Sequence, residues 1–150
     1  MRIVIAAIGK LRKGPEQELF DTYVKRLPWS VTVRDFAESG TGQDRRDREA
    51  ERLLKAAPSS ATIVALDEHG TALDSVGFAD QLKTWRDAGV GDVAFLIGGA
   101  DGHGSEVRKR ADLLLSFGPM TWPHLMVRGM LAEQLYRAST ILAGHPYHRA

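Results

Sequence analysis

A chain of 150 residues, 43% hydrophobic and 26% charged, is most simply one domain of soluble globular character, large enough for a real core. Its 20 basic and 19 acidic side chains leave a net charge of +1, so no overall field announces nucleic acid, and a polyanion contact has to come from a local patch or from one repeated by oligomerisation. The absence of Cys removes disulfides, thiolate nucleophiles and Cys-type zinc sites together.

The first run, residues 3–8, is a buried strand in pattern. The apolar N-terminus that contains it is too short for a signal segment and far too short to span a bilayer, which gives the expectation of a cytoplasmic protein without a membrane partner. Pro15 starts a helix in which Phe20, Tyr23, Val24 and Leu27 follow the i, i+3, i+4, i+7 pattern, and Pro28 closes it. Residues 31–37 alternate as a strand. Gly40 and Gly42 mark a loop before a charged helix over 43–57 with Leu53 and Leu54 inward. Its acids nearly balance its bases, so it reads mainly as a solvated face rather than an RNA grip. Residues 61–66 form a third strand. Residues 74–88 form a helix carrying Phe78, Leu82 and Trp85, and residues 93–97 and 113–117 are the last two strands. A final helix runs over about 123–143.

Strands alternating with helices imply an α/β parallel sheet covered on both faces. Ligands of such sheets bind beyond the carboxyl ends of the strands, where residues 66–70, 98–104 and 117–122 fall. Four Gly in the seven residues from Gly98 to Gly104 permit close backbone approach to a ligand, or simply a tight turn between strand and helix. A phosphate loop would need Gly-Lys-Ser/Thr, which is absent, and a dinucleotide fingerprint would come early in the chain rather than here. The one-sided run Arg108-Lys109-Arg110 follows this loop and suits a phosphate contact. The final helix is apolar around much of its circumference (Leu125, Met126, Val127, Met130, Leu131, Leu135, Ile141, Leu142), which suits either a dimer interface plus a core face or a helix central to one protomer.

Leu96-Ile97-Gly98-Gly99, Thr121-Trp122-Pro123-His124, Glu133-Gln134-Leu135-Tyr136-Arg137-Ala138 and His145-Pro146-Tyr147-His148-Arg149 together resemble the RlmH family, the large-subunit ribosomal RNA (pseudouridine-N3) methyltransferases of the SPOUT class. The likeness spans essentially the whole chain and is densest from residue 95 onward. It implies a single SPOUT domain over 1–150, with a C-terminal trefoil knot that ordinary topology rules would not propose. It further implies a homodimer formed through the knot region, S-adenosylmethionine as methyl donor, no metal, and a pseudouridine of 23S rRNA in the assembled ribosome as substrate. Carried over motif by motif, the cofactor residues are Leu66, Gly98 and the loop Phe117, Gly118, Pro119, Met120, Thr121 and Trp122. Asp101 stands where members often carry Glu. Gly118 stands where they often carry Ser, so a contact there falls to backbone.

Methyl transfer to N3 displaces the donor in line and releases a proton. His124, Glu133, Tyr147 and His148 are the candidate acceptors or relays, with His148 placed nearest the base. Arg128, Arg137 and Arg149 are candidates to stabilise negative charge or hold phosphates. Each residue also has a plainer role. Glu133 and Arg137 are spaced as a helix-surface ion pair, His124 follows Pro123 at a helix start, and His145-Pro146 is a helix stop. The alternative function on the same fold is a non-catalytic ribosome-binding module.

Overall fold

From Ile3 to Ile8 every side chain of β1 (Arg2–Ile8) is buried, on both faces, and β4 (Asp92–Ile97) is buried throughout. Continuous apolar strands of this kind occupy the middle of parallel sheets covered on both sides. The computed structural model, which describes residues 1–42 and 44–149, places them side by side. Around them lie β2 (Ser30–Phe36), β3 (Thr62–Ala72) and β5 (Leu113–Ser116), in the order β2-β1-β4-β3-β5, all parallel.

The alternation of side chains along the strands sorts the core into two layers. Ile3, Ile5, Phe95 and Ile97 pack under α1 (Pro15–Val24), α3 (Ser75–Asp87) and α5 (His124–Leu142) through Phe20, Phe78, Leu82, Leu131 and Leu135. Val4, Ala6, Ile8, Ile63 and Leu96 pack under α2 (Arg45–Ala56) and α4 (Ser105–Arg110) through Leu53 and Val107. The Asp74 carboxylate caps α3 by accepting from the Gly77 N–H at 2.7 Å.

Two boundaries depart from the sequence reading by three residues or more. Helix α1 stops at Val24, because Arg26 and Leu27 tighten into i to i−3 bonds on Tyr23 and Val24 ahead of Pro28. Strand β3 runs on to Ala72. Leu66 and Thr71 both align with Leu115, so residues 67–70 bulge out of the ladder. That bulge passes so close to β5 that a Cβ on Gly70 would lie 2.5 Å from the Leu114 carbonyl oxygen. Helix α2 is described from Arg45, and the start expected at Gln43 lies outside the described residues, as does the terminal Ala150.

Candidate active site

The chain leaves β5 at one sheet edge and reaches the start of α5 beside the end of β1, three strands further in, so residues 117–123 pass over the carboxyl ends of β3 and β4. Beneath that crossing is a cavity of about 710 Å³. Its walls are Leu66–His69 from the β3 bulge, Ile97–His103 from the glycine loop, Phe117, Gly118 and Met120–Trp122 from the crossing, and Pro123, His124 and Val127 from the start of α5. All three strand-end segments singled out in the sequence therefore meet in one place. Of the residues expected to hold a cofactor, Leu66, Gly98, Phe117, Gly118, Met120, Thr121 and Trp122 line the cavity, whereas Pro119 does not.

Short-range bonds fix these walls. The Ser116 hydroxyl donates to the Glu68 carbonyl at 3.0 Å and accepts from the Gly118 N–H at 3.0 Å, tying the crossing to the bulge. Gly118 takes φ +105°, a left-handed conformation that a side chain would strain. Thr121 Oγ1 donates to Glu68 Oε2 at 3.2 Å. Asp67, buried in the wall, accepts from the His69 N–H at 2.9 Å, and its other oxygen lies 3.0 Å from Arg108 Nη2. Arg108 lines the cavity with its guanidinium spent partly on Asp67, while Lys109 and Arg110 are not among the lining residues. In the glycine loop the Gly102 N–H donates to Gly99 O at 3.0 Å, and a Cβ on Gly98 would sit 3.1 Å from Gly102 O and 3.3 Å from His103 Nδ1.

Several groups here had no distinct signal in the sequence. His103 is 4% exposed, and its Nε2 lies 3.1 Å from the Leu96 carbonyl, so Nε2 carries the hydrogen. Burial holds its pKa below the usual imidazole range and keeps it neutral. Glu49 of α2 is buried behind the loop, with one carboxylate oxygen 3.2 Å from where a Gly99 Cβ would lie. Its pKa is raised by burial and opposed by Arg45, which lies 3.6 Å away and also reaches toward Asp101 of the loop at 3.8 Å. Their spacing in the sequence is that of an ordinary charged helix, so nothing marked them as supports of a site.

Arg128 was a candidate phosphate or oxyanion ligand. It is instead fully buried. Its Nη2 donates to the Gly9 and Ile8 carbonyls at the end of β1, and Nη1 lies 3.6 Å from Asp35 at the end of β2. Strand ends leave carbonyls without ladder partners, and this side chain supplies them with donors. It pins the first turns of α5 against β1, so that His124 packs on Gly9.

The tail residues form a second cluster. Arg137 Nη2 donates to Glu133 Oε1, and the Tyr147 hydroxyl donates to the same oxygen at 3.0 Å. Arg137 Nη1 lies 3.2 Å from His148 Nδ1, which as the acceptor leaves the hydrogen on Nε2. The Tyr147 ring packs edge-on against Tyr136 at 4.7 Å and lies under the Arg137 guanidinium at 4.8 Å. Burial first, then bonding to Tyr23 and Glu133, pushes the Tyr147 phenol well above its ordinary pKa. The Glu133 bond raises the Arg137 guanidinium. Glu133 and Arg137 are thus more than a surface pair, while Arg149 is exposed and makes no ion pair or side-chain hydrogen bond among the described residues.

The two clusters are apart within one chain. Arg137 comes thirteen positions after His124 on α5, about 20 Å along the axis. A second cavity of about 600 Å³ opens between α1, α3 and α5, lined by Leu19, Tyr23, Ser75, Met130 and Glu133, and the loop Phe117–Gly118 is the partition between the two. Among the described residues no three His, Asp or Glu side chains cluster as a metal site, and no helix is long and apolar enough to cross a membrane.

A family model described as "Predicted SPOUT methyltransferase" matches residues 1–148. The chain is 58% identical over 151 residues to "Ribosomal RNA large subunit methyltransferase H" of Paramagnetospirillum magneticum, covering 99% of both chains. It is 56% identical over 152 residues to the protein of the same name from Rhodospirillum centenum, covering 100% of both. Among solved structures, a probable methylase family protein from Haemophilus influenzae matches with a TM-score of 0.59 at 11% identity, covering 99% of this chain and 70% of that one, a likeness of fold alone.

Proposed function

The chain belongs to the SPOUT methyltransferase family, among the ribosomal RNA large subunit methyltransferase H proteins, and on that premise we propose that it methylates N3 of a pseudouridine in 23S rRNA of the assembled ribosome. It is a methyltransferase acting on large-subunit rRNA with S-adenosylmethionine as donor. The observation that carries the reading is the convergence of the β3 bulge, the glycine loop and the 117–122 crossing on one cavity. Its volume lies within the range of about 300–1,000 Å³ usual for cofactor sites, and its walls are largely apolar. That is the surface an adenosine and a short aliphatic chain require.

The donor supplies an electrophilic methyl group on a sulfonium. The remaining work is positional. Leu66, Gly98 and the backbone of Phe117, Gly118 and Met120–Trp122 hold the donor, and oriented binding of this kind can contribute about 7–11 kcal/mol to a two-reactant displacement. Glu133, Arg137, Tyr147 and His148 are the groups for the N3 proton and the charge it leaves, with His124 at the cavity wall and Arg149 free for phosphate. Because the tail cluster lies about 20 Å along α5 from His124, the working unit in this reading is a homodimer in which one protomer's tail meets its partner's cavity. Support comes from large apolar side chains left uncovered around the cavity and the groove: Met120 (71% exposed), Leu19 (46%) and Trp122 (41%). The trefoil knot enters the proposal on family grounds. A single domain and a cytoplasmic location complete the proposal.

The test is methyl transfer from labelled donor to assembled ribosomes lacking the modification, with the modified nucleotide mapped. Incorporation at a pseudouridine N3 of 23S rRNA is expected. Truncation after Gly144 should abolish turnover while donor binding persists. Incorporation at another nucleotide refutes the substrate, and undiminished turnover by the truncated chain refutes the role of the tail.

A further inference from the structure

Between β1 and α1 the chain reads Gly9-Lys10-Leu11-Arg12-Lys13-Gly14, three cations in four residues of a protein whose net charge is only +1. Lys10, Arg12 and Lys13 are exposed, and none makes an ion pair or side-chain hydrogen bond among the described residues. Most other cations near the strand ends are engaged: Arg45 with Glu38, Glu49 and Asp101, Arg48 and Arg52 with the Ser39 and Ala37 carbonyls, Arg108 with Asp67, Arg128 with Asp35.

The loop is nevertheless held in place. The Gly9 N–H donates to Phe36 O at 2.6 Å, Gly9 O accepts from Arg128, and the Leu11 N–H donates to Asp35 Oδ2 at 2.9 Å. Leu11 itself packs on the core. Asp35, the nearest acid of β2, is therefore occupied by Arg128 and a backbone N–H rather than by the loop's cations. The position is also specific: Gly9 abuts the His124 imidazole, and His124 lines the donor cavity, so Lys10 directly follows a residue packed on the cavity wall. An anchored backbone carrying unpaired cations at the rim of a reaction site loses little entropy when it meets a polyanion.

We propose that Lys10, Arg12 and Lys13 grip the rRNA sugar-phosphate backbone beside the target nucleotide, the local patch that a near-neutral chain needs to hold RNA. The inference rests on the rRNA reading above. Phosphate contacts fix register and carry no base preference, so the loop sets affinity and orientation and leaves nucleotide choice to the cavity. Their signature is salt dependence, because each neutralised phosphate releases counterions.

The experiment measures equilibrium binding of the full-length protein to 70S ribosomes lacking the modification, between 50 and 200 mM salt, for the parent, the triple variant K10A/R12A/K13A, and a control K25A/K83A/R86A. The control removes the same charge at the opposite end of the sheet. Three lost contacts at a slope of about 0.7–0.9 each predict that the parent's affinity falls about 20–40-fold more steeply over this range than the loop variant's. The control should keep the parent's slope, and donor binding should be unchanged in all three. A loop variant with the parent's slope, or a control as flat as the loop variant, overturns the proposal. A parent that binds ribosomes but transfers no methyl group defeats the functional reading without touching this one. A parent that does not bind ribosomes defeats both.

Discussion

Replacing Gly9 by alanine tests the link between the end of β1 and the start of α5. Gly9 has φ +89°, and an added Cβ would lie 2.8 Å from His124 Nε2 and 3.2 Å from its Cδ2. Two costs are separable. The left-handed backbone costs a side chain about 1–2 kcal/mol whatever surrounds it. The contact is with the far end of a flexible side chain, so His124 yields by leaving its rotamer, for about 0.5–1.5 kcal/mol more. Urea unfolding at fixed protomer concentration would then show the strain cost in both the parent and an H124A background, and the second cost only where His124 is present. The strain alone lowers Tm by about 2–8 °C for a chain of this size. Because His124 lines the cavity, G9A should also raise KM for the methyl donor while leaving ribosome affinity nearly unchanged. Equal destabilisation in the two backgrounds would refute the contact, and a G9A variant as stable as the parent in both would refute the backbone geometry too.

Gly70→Ala places a Cβ 2.5 Å from the Leu114 carbonyl oxygen and 2.6 Å from its carbon, both backbone, so β3 and β5 must part. The expected loss is about 1–3 kcal/mol or more, with weakened donor binding as the bulge shifts, and calorimetry showing an unchanged Tm would refute this packing. Glu49 has its pKa raised by burial, so its contribution to stability is present below its unfolded pKa of about 4.3 and is lost as pH rises through the folded value. E49Q should therefore be more stable than the parent at pH 8, with the advantage vanishing near pH 4; a disadvantage at pH 8 would mean that the Arg45 pair outweighs burial. The Tyr147 phenol is raised above its unfolded value of about 10, so the stability it confers is present below that pH and lost above it. Y147F should flatten the fall of unfolding free energy above pH 10, and an unchanged slope would remove the Tyr147–Glu133 bond from the account.

The order of elements and their type were legible because five short apolar runs alternate with longer 3.6-period segments. The cavity was legible for a related reason. Residues 98–104 and 117–122 each follow a parallel strand and residues 67–70 bulge from the far part of another, and parallel strands deliver such segments to one end of a sheet. Motif likeness then supplied chemistry that periodicity cannot, naming Leu66, Gly98 and the 117–122 loop, of which all but Pro119 line the cavity.

What the sequence left open depended on neighbours distant along the chain. Arg128 reads in the sequence as a candidate to hold phosphate or negative charge, and is buried because the carbonyls at the end of β1 need donors once α5 covers them. Gly70 looks like any turn glycine until β5 passes within touching distance of it. His103 and Glu49 acquire their shifted pKa values only from the desolvation that packing imposes. The tail residues and His124 look like one site in the sequence because they belong to one dense C-terminal stretch. A rigid helix of 19 residues carries them apart, and only the tertiary structure assigns them to two clusters. Local pattern determined the elements and the end of the sheet where chemistry gathers. Close approach, burial and the distance between side chains were decided by the fold, since each depends on pairs of residues that the linear order does not bring together.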